Sequence, residues 1–246
     1  MNETVGSMQI EGPQAQSIQT EFEVMTSLLS LSGARVLELG CGAADKTRQL
    51  AEHSDVETIV ASEVDQVQHR KNLRVVDLPK VTFKSFGAEA IDEPDASFDI
   101  VLMFKSLHHV PVELLDTALA EIRRVLQPGG VAYISEPVFA GEFNEVIRLF
   151  HDESIVRREA FAAVERAVTS GALELVEERF FKNMLKLESF SQFERGVLNV
   201  THTEHNVSPD LLKQVCEKFE SNRSDAGYVF EIPNRVDLLR KPGTVR

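Results

Sequence analysis

Tryptophan is absent, cysteine and tyrosine appear twice each, and no apolar run approaches the length of a membrane span. Two cysteines, Cys41 and Cys216, are too few and too far apart for a disulfide framework or a cysteine-rich zinc site, so a reducing compartment is expected. Without roughly 20 consecutive apolar residues, no spanning helix is expected. The opening "MNETVGSMQIEGP" lacks a basic start and an apolar centre and does not read as a secretory leader, which makes the cytoplasm the expected location. Positive charge is scarce as well: 26 Lys and Arg face 39 Asp and Glu, for a formal net charge of -13. A field of that sign repels phosphate backbones and anionic lipid, so neither nucleic acid nor a membrane surface is an expected partner. The densest basic pairs, Arg123 with Arg124 and Arg157 with Arg158, read as solvated helix faces. Oligomeric state leaves no mark in the sequence.

What the chain does contain is alternation. Short apolar runs, "RVLELG", "ETIVASEV", "VTFKSF", "FDIVLMF" and "VAYISEP", are separated by helical patterns, as in a parallel sheet covered on both faces. "PVELLDTALAEIRRVL" places Leu115, Ala118, Leu119, Ile122, Val125 and Leu126 on one stripe, and Pro128 with a left-handed Gly129 is expected to stop that helix. Upstream, "QSIQTEFEVMTSLLS" predicts a helix with Ile18, Phe22, Met25 and Leu29 on one face, across the sheet or over the site. After the fifth run, two amphipathic helices, marked by Phe143, Val146, Ile147 and Phe150 and then by Phe161, Val164 and Val168, form an insertion. "LELVEERFFKNMLKLES" predicts a strand, "SFSQFERGVL" a short helix, and "SPDLLKQVCEKFE" a helix capped by Ser208. "GYVFEIPNRVDLLRK" closes as a long strand or hairpin broken at Pro233.

The stretch "VLELGCGAADKTRQLA" carries the chemistry. A buried strand ends at Leu39, the chain turns through Gly40 and Gly42, and a helix begins near Asp45, so bare backbone and unpaired N–H groups face outward at the carboxyl end of the sheet. Glu63, ending the second run, is placed to accept hydrogen bonds from vicinal ribose hydroxyls. Glu38, inside the first run, is costly to bury unless it accepts bonds from the turn's amides or from a cationic ligand group. A nicotinamide dinucleotide fits poorly, because its fingerprint asks for a small residue where Asp45 stands and its pyrophosphate would meet Glu38 and Asp45.

These residues resemble the class I methyltransferases that bind S-adenosylmethionine. "VLELGCG" is similar to the family's first motif and Glu63 to its ribose acid. "SFGAEAIDEPDASFDIVLMFKSLHHVP" and "EIRRVLQPGGVAYISEP" are similar to the loop after the third strand, the fourth strand, and the helix and fifth strand that follow. The likeness is close from Val36 to Pro137 and beyond that holds only in pattern. It implies a doubly wound, mostly parallel seven-stranded sheet with the helical insertion after the fifth strand. One domain spans 1–246: an N-terminal helical lid (1–32), a cofactor-binding core (33–137), and a substrate roof with closing strands (138–246). For S-adenosylmethionine it implies contacts from Glu38, Gly40, Cys41, Gly42, Glu63, Val64, Gly87, Ala88, Glu89, Phe104 and Lys105. Cys41 reads as a small spacer. Ala44 stands where the family often has a third glycine, and Gly87 where it often has an acid that contacts adenine, a role left to Glu89.

Methyl transfer from a sulfonium is an in-line displacement that alignment alone accelerates greatly, so a base is needed only for an acceptor that must lose a proton. His108, His109 and Glu136, where the fourth and fifth strands end, are the candidate catalytic residues, although the histidines also suit a structural role. Lys105 is expected to give backbone rather than its amine. Phe139, Phe143 and Phe150 would line an apolar acceptor cavity if they face inward; ordinary helix packing is the alternative, and it is the expectation for Phe150. No metal ligand set is expected: His202 and His205 with Glu204 read as a solvated turn, and Glu177 with Glu178 as surface. The acceptor implied is a small organic molecule. A protein or RNA acceptor, or a non-catalytic binding or scaffold protein, are the alternatives.

Overall fold

Strand β1 (Arg35–Leu39) alternates between two covered faces: Val36 lies in one apolar cluster, Leu37 and Leu39 in another. In the computed structural model, which describes residues 8–12, 17–198 and 207–243, this alternation governs the whole sheet. The remaining strands are β2 (Thr58–Ser62), β3 (Val81–Lys84), β4 (Phe98–Phe104), β5 (Leu126–Pro137), β6 (Glu174–Leu187), β7 (Arg223–Ser224) and β8 (Gly227–Arg240). Their order is β3-β2-β1-β4-β5-β8-β6, with the two-residue β7 pairing only to β8. Strands β1 to β5 run parallel, and β8 is antiparallel to both β5 and β6. The expected doubly wound, mostly parallel sheet is present, with β7 as a small addition to the seven.

Helices α1 (Glu21–Leu28) and α2 (Asp45–His53) sit over one face with Val36, Ile59, Ile100, Leu102 and Tyr133. The other face carries α4 (Leu115–Val125) and α6 (Ser154–Thr169) over Leu37, Val101, Met103, Ala132 and Ile134. The α4 stripe of Leu115, Ala118, Leu119, Ile122 and Val125 is buried as expected, at about 1.5–3 kcal/mol for each large aliphatic. Helices α3 (Gln66–Asn72), α5 (Glu142–Ile147), α7 (Phe190–Phe193) and α8 (Pro209–Glu220) complete the set, with Ser208 Oγ capping α8 through the Leu211 amide. None of the helices among the described residues is long and apolar enough to cross a membrane.

Three local expectations are corrected. Helix α1 is shorter than its apolar pattern, because Thr20 and Glu23 form a reciprocal capping box that starts it at Glu21 and leaves Ile18 exposed beside Lys182. Helix α4 ends in extended backbone at Leu126, before Pro128, and the left-handed Gly129 instead kinks β5 where its register with β4 shifts. Pro233 does not break β8; it stays paired with Lys182 of β6, just past the last β5 pairing at Asn234, so its missing N–H leaves no ladder bond unmade on that side.

Candidate cofactor and acceptor site

Because β2 and β4 leave β1 in opposite directions, a crevice opens beyond the carboxyl ends of these strands, the usual ligand position in such sheets. Its volume is about 940 Å³. One wall is the turn after β1. Gly40 and Gly42 take φ of 72° and 53°, and Ala44, the cap of α2, takes 62°. The Gly40 and Cys41 amides donate to the Ser62 carbonyl at 3.0 and 2.9 Å, and Ser106 Oγ donates to the Leu39 carbonyl at 2.9 Å, so the turn is held from both neighbouring strands. A Cβ on Gly40 would lie 2.8 Å from Ser106 Cβ, whereas one on Gly42 would meet nothing within 4 Å. Gly42 therefore presents bare backbone to the crevice.

Glu63 stands beside that backbone. Its Oε2 accepts from the Gly42 amide at 2.7 Å and its Oε1 from the Asp65 amide at 2.8 Å, which fixes the carboxylate at the crevice wall while each oxygen keeps accepting capacity. Asn72 Nδ2 donates to the Gly42 carbonyl at 2.8 Å, a support that local sequence did not reveal. The opposite wall is made of Phe86, Gly87, Ala88 and Glu89, with Met103, Val110 and Pro111. The Glu89 carboxylate lies over Gly87 so closely that a Cβ there would be 2.3 Å from it. An acid contributed by position 89 thus fills the space a side chain at 87 would take.

Glu38 behaves differently from the expectation. Strand alternation turns it to the α2 face, where it is buried and accepts from Thr47 Oγ1 at 2.6 Å, not from the turn's amides. Burial raises its pKa to about 7, against the Thr47 hydrogen bond and the Lys46 charge. Cys41 is likewise buried away from the crevice, and burial followed by the Glu38 and Glu63 charges pushes its thiol well above the ordinary range, as suits an inert spacer. Phe104 tilts against Tyr133. Lys105, left-handed at φ 54°, gives its amide to the Ser135 carbonyl at 2.7 Å and opens into the crevice; dense protein around its amine lowers that pKa.

Of the candidate catalytic residues, His109 lines the crevice and is exposed there. His108 and Glu136 lie beneath it, buried. His108 Nδ1 pairs with Glu136 Oε2, the Leu107 amide donates to Glu136 Oε1 at 2.9 Å, and His108 Nε2 faces Glu153 Oε1 at 3.6 Å. Glu153 in turn pairs with Arg157. Burial opposes the charged imidazole, but Glu136 and Glu153 outweigh it and push His108 up to about 9. These two residues are buried behind His109 and do not line the crevice. Glu21, at the start of α1, accepts from Tyr133 Oη at 2.6 Å and from Ser135 Oγ at 3.0 Å beneath Lys105, and no residue of α1 lines the crevice. Phe143 and Phe150 are also elsewhere: they pack on Phe193, with Phe143 also 5.3 Å from Phe230, in a separate aromatic core under α5, α7 and α8. Phe139 lies beneath the guanidinium groups of Arg148 and Arg157. His202, Glu204 and His205 lie outside the described residues.

A family model described as a methyltransferase domain matches residues 36–130, the span that holds the turn, Glu63 and the His109 segment. The chain is 35% identical over 210 residues to an O-methyltransferase, cnsE, of Penicillium expansum, covering 83% of this chain and 66% of that one. The chain belongs to the class I S-adenosylmethionine-dependent methyltransferase family. Sterol 24-C-methyltransferase of Yarrowia lipolytica is 33% identical over 116 residues, 46% of this chain and 30% of the relative. The chain thus spans less than two thirds of either curated relative. In fold it is similar to a putative methyltransferase of Bacillus halodurans, at a TM-score of 0.63 and 19% identity over 90% of this chain and 99% of that one.

The methyltransferase crevice fits the cofactor of its family, S-adenosylmethionine. Bare backbone at Gly42 admits close approach of a ligand, a fixed carboxylate at Glu63 suits two ribose hydroxyls, and Phe86, Ala88 and Met103 suit a flat apolar base. Replacing Glu63 with alanine should weaken cofactor binding by about 10- to 150-fold, the equivalent of about 1.5–3 kcal/mol for hydrogen bonds to a charged group. Calorimetric titration of the folded variant checks this; unchanged affinity would place the ribose elsewhere.

Proposed function

We propose that the chain transfers a methyl group from S-adenosylmethionine to a small organic acceptor at oxygen, nitrogen or carbon, with a hydroxyl oxygen as the form its residues suit best. The observation that carries this reading is the juxtaposition, in one crevice, of the Gly40–Gly42 turn and Glu63 with the exposed imidazole of His109. The cofactor, when bound, supplies an activated methyl on a sulfonium. The chain's residues do the rest. Gly40, Gly42, Glu63 and Val64 hold the methionyl and ribose portions; Ala88, with Glu89 in place of a side chain at 87, holds the adenine; Ser106 keeps the turn and the post-β4 loop together, and the Lys105 amide ties that loop to β5. Glu38 acts from beneath the turn as a source of negative field. His109 accepts the hydroxyl proton at its imidazole, and the buried pair His108–Glu136 sets where His109 stands.

The similarity to an O-methyltransferase over most of this chain supports an oxygen acceptor. The net charge of -13 supports a metabolite over a polyanionic nucleic acid. Cys41 and Cys216 are free thiols, which supports a cytoplasmic setting. Incubation with methyl-labelled S-adenosylmethionine and a panel of hydroxylated metabolites tests the activity, and label that stays wholly on the cofactor across phenols, alcohols, amines and activated carbons would overturn it. With a hydroxyl acceptor, His109→Ala should lower turnover about 10²- to 10⁴-fold while leaving cofactor affinity unchanged. An unaltered rate would remove His109 from proton transfer.

A further inference from the structure

His108 and His109 come from the turn after β4, and Glu153 comes from the cap of α6; each offers one ligand atom, and the three atoms lie within 4.8 Å of one another. We propose that these side chains bind a divalent transition-metal cation beside the crevice, with Zn²⁺ the ion that imidazole nitrogen and carboxylate oxygen suit best.

The local geometry has the parts such a site requires. His108 Nε2 and Glu153 Oε1 are 3.6 Å apart, close to the edge of about 3.4 Å that tetrahedral bonds of about 2.1 Å produce. The edges to the His109 ring nitrogen lie within the same 4.8 Å. Behind His108, Glu136 pairs with Nδ1 and is itself held by the Leu107 amide, so the ring is oriented with Nε2 toward Glu153. A carboxylate on the far nitrogen of a ligating histidine is the usual outer support of a metal site. Glu153 is oriented in the same way, its Oε2 engaged by Arg157 while Oε1 faces His108. His151 Nε2 lies 3.0 Å from that same oxygen and stands in reach as a further ligand. Glu136 and Glu153 flank His108, with the Arg157 guanidinium on Glu153 and the Arg235 charge acting on Glu136, so an entering cation takes the place of the proton that the two acids stabilise on His108. Entry is through the crevice that His109 lines, which also leaves a coordination position open to that side. Occupied, the site makes His109 a ligand, and the proton-accepting role given to it above then belongs to the metal-free protein. The binding inference itself stands apart from methyl transfer.

Co²⁺ adopts the geometry of Zn²⁺ and reports it by a visible ligand-field band. The full chain, stripped with a chelator and titrated with CoCl₂, should develop a saturable one-to-one band that Zn²⁺ bleaches. His109→Ala, a change at an exposed side chain, should weaken Co²⁺ binding at least tenfold, and Glu136→Gln by about 10- to 100-fold through the loss of outer support. No band at millimolar Co²⁺, or a band of equal affinity in His109→Ala, would overturn the site. Absence of S-adenosylmethionine binding would overturn the methyltransferase reading and leave this result standing.

Discussion

Alanine at position 40 is expected to cost about 2–5 kcal/mol of folding stability and to remove measurable cofactor binding. Two independent penalties add. The left-handed backbone at Gly40, φ 72°, costs a side-chain-bearing residue about 1–2 kcal/mol. The new Cβ would also lie 2.8 Å from Ser106 Cβ, and relieving such overpacking costs about 1–3 kcal/mol. Relief comes only by moving Ser106 off the Leu39 carbonyl, which parts the turn from the post-β4 loop and spoils both walls of the crevice. Chemical denaturation and cofactor titration read the two effects. Adding Ser106→Gly to the variant should recover the steric part and leave the backbone part. A Gly40→Ala protein with native stability and affinity would show that the turn is not constrained from the Ser106 side.

Glu38→Gln is expected to stabilise the cofactor-free protein above neutral pH and to weaken it as a binder. Glu38 has a folded pKa of about 7, above the ordinary 4.5, because burial disfavours its charge. A group shifted upward in the folded state contributes stability that is fully present below the unfolded value and is lost as pH rises through the folded one. The window is therefore about pH 4.5 to 7, and the whole loss is about 3 kcal/mol at 1.36 kcal/mol per unit. Glutamine still accepts from Thr47 and carries no charge to bury, so at pH 8 the variant should gain about 1–3 kcal/mol over wild type, and at pH 4 almost nothing. Affinity for the cationic cofactor should fall roughly tenfold, about 1.4 kcal/mol, as the field beneath the turn disappears. Equal stabilities of the two proteins across pH 4 to 8 would mean that the Glu38 carboxylate is not held against its ionisation.

The acid thus sits where strand alternation and function disagree about stability, and that conflict was visible in "VLELG" before the fold was known. Its partner was not. Thr47 lies on the next helix at a position that no local pattern marks, and only the packing of α2 on β1 brings the two together. The same division runs through the site. Gly40, Gly42 and Glu63 were legible because the turn and the end of β2 follow directly from a short apolar run and its breakers. The α4 stripe and the Ser208 cap were legible for the same local reason.

The contacts under His109 could not be read, because Glu136 and Glu153 reach His108 from β5 and from the insertion, and nothing in either segment marks which acid will meet it. Whether Phe143 and Phe150 line a cavity or pack in a core stayed open in the sequence, because helical spacing tells which residues share a face but not which neighbour covers it; Phe193 and Phe230, from distant elements, decide that. The extent of α1 was overread because its apolar spacing continues upstream of the capping box that starts it.

A crystal of the protein soaked with S-adenosylhomocysteine tests the central claim most directly. The account predicts density in the crevice with ribose hydroxyls on Glu63, the amino-acid portion along Gly40–Gly42, and the sulfur turned toward His109. Density bound elsewhere, or a crevice that stays empty at saturating concentration, would contradict it.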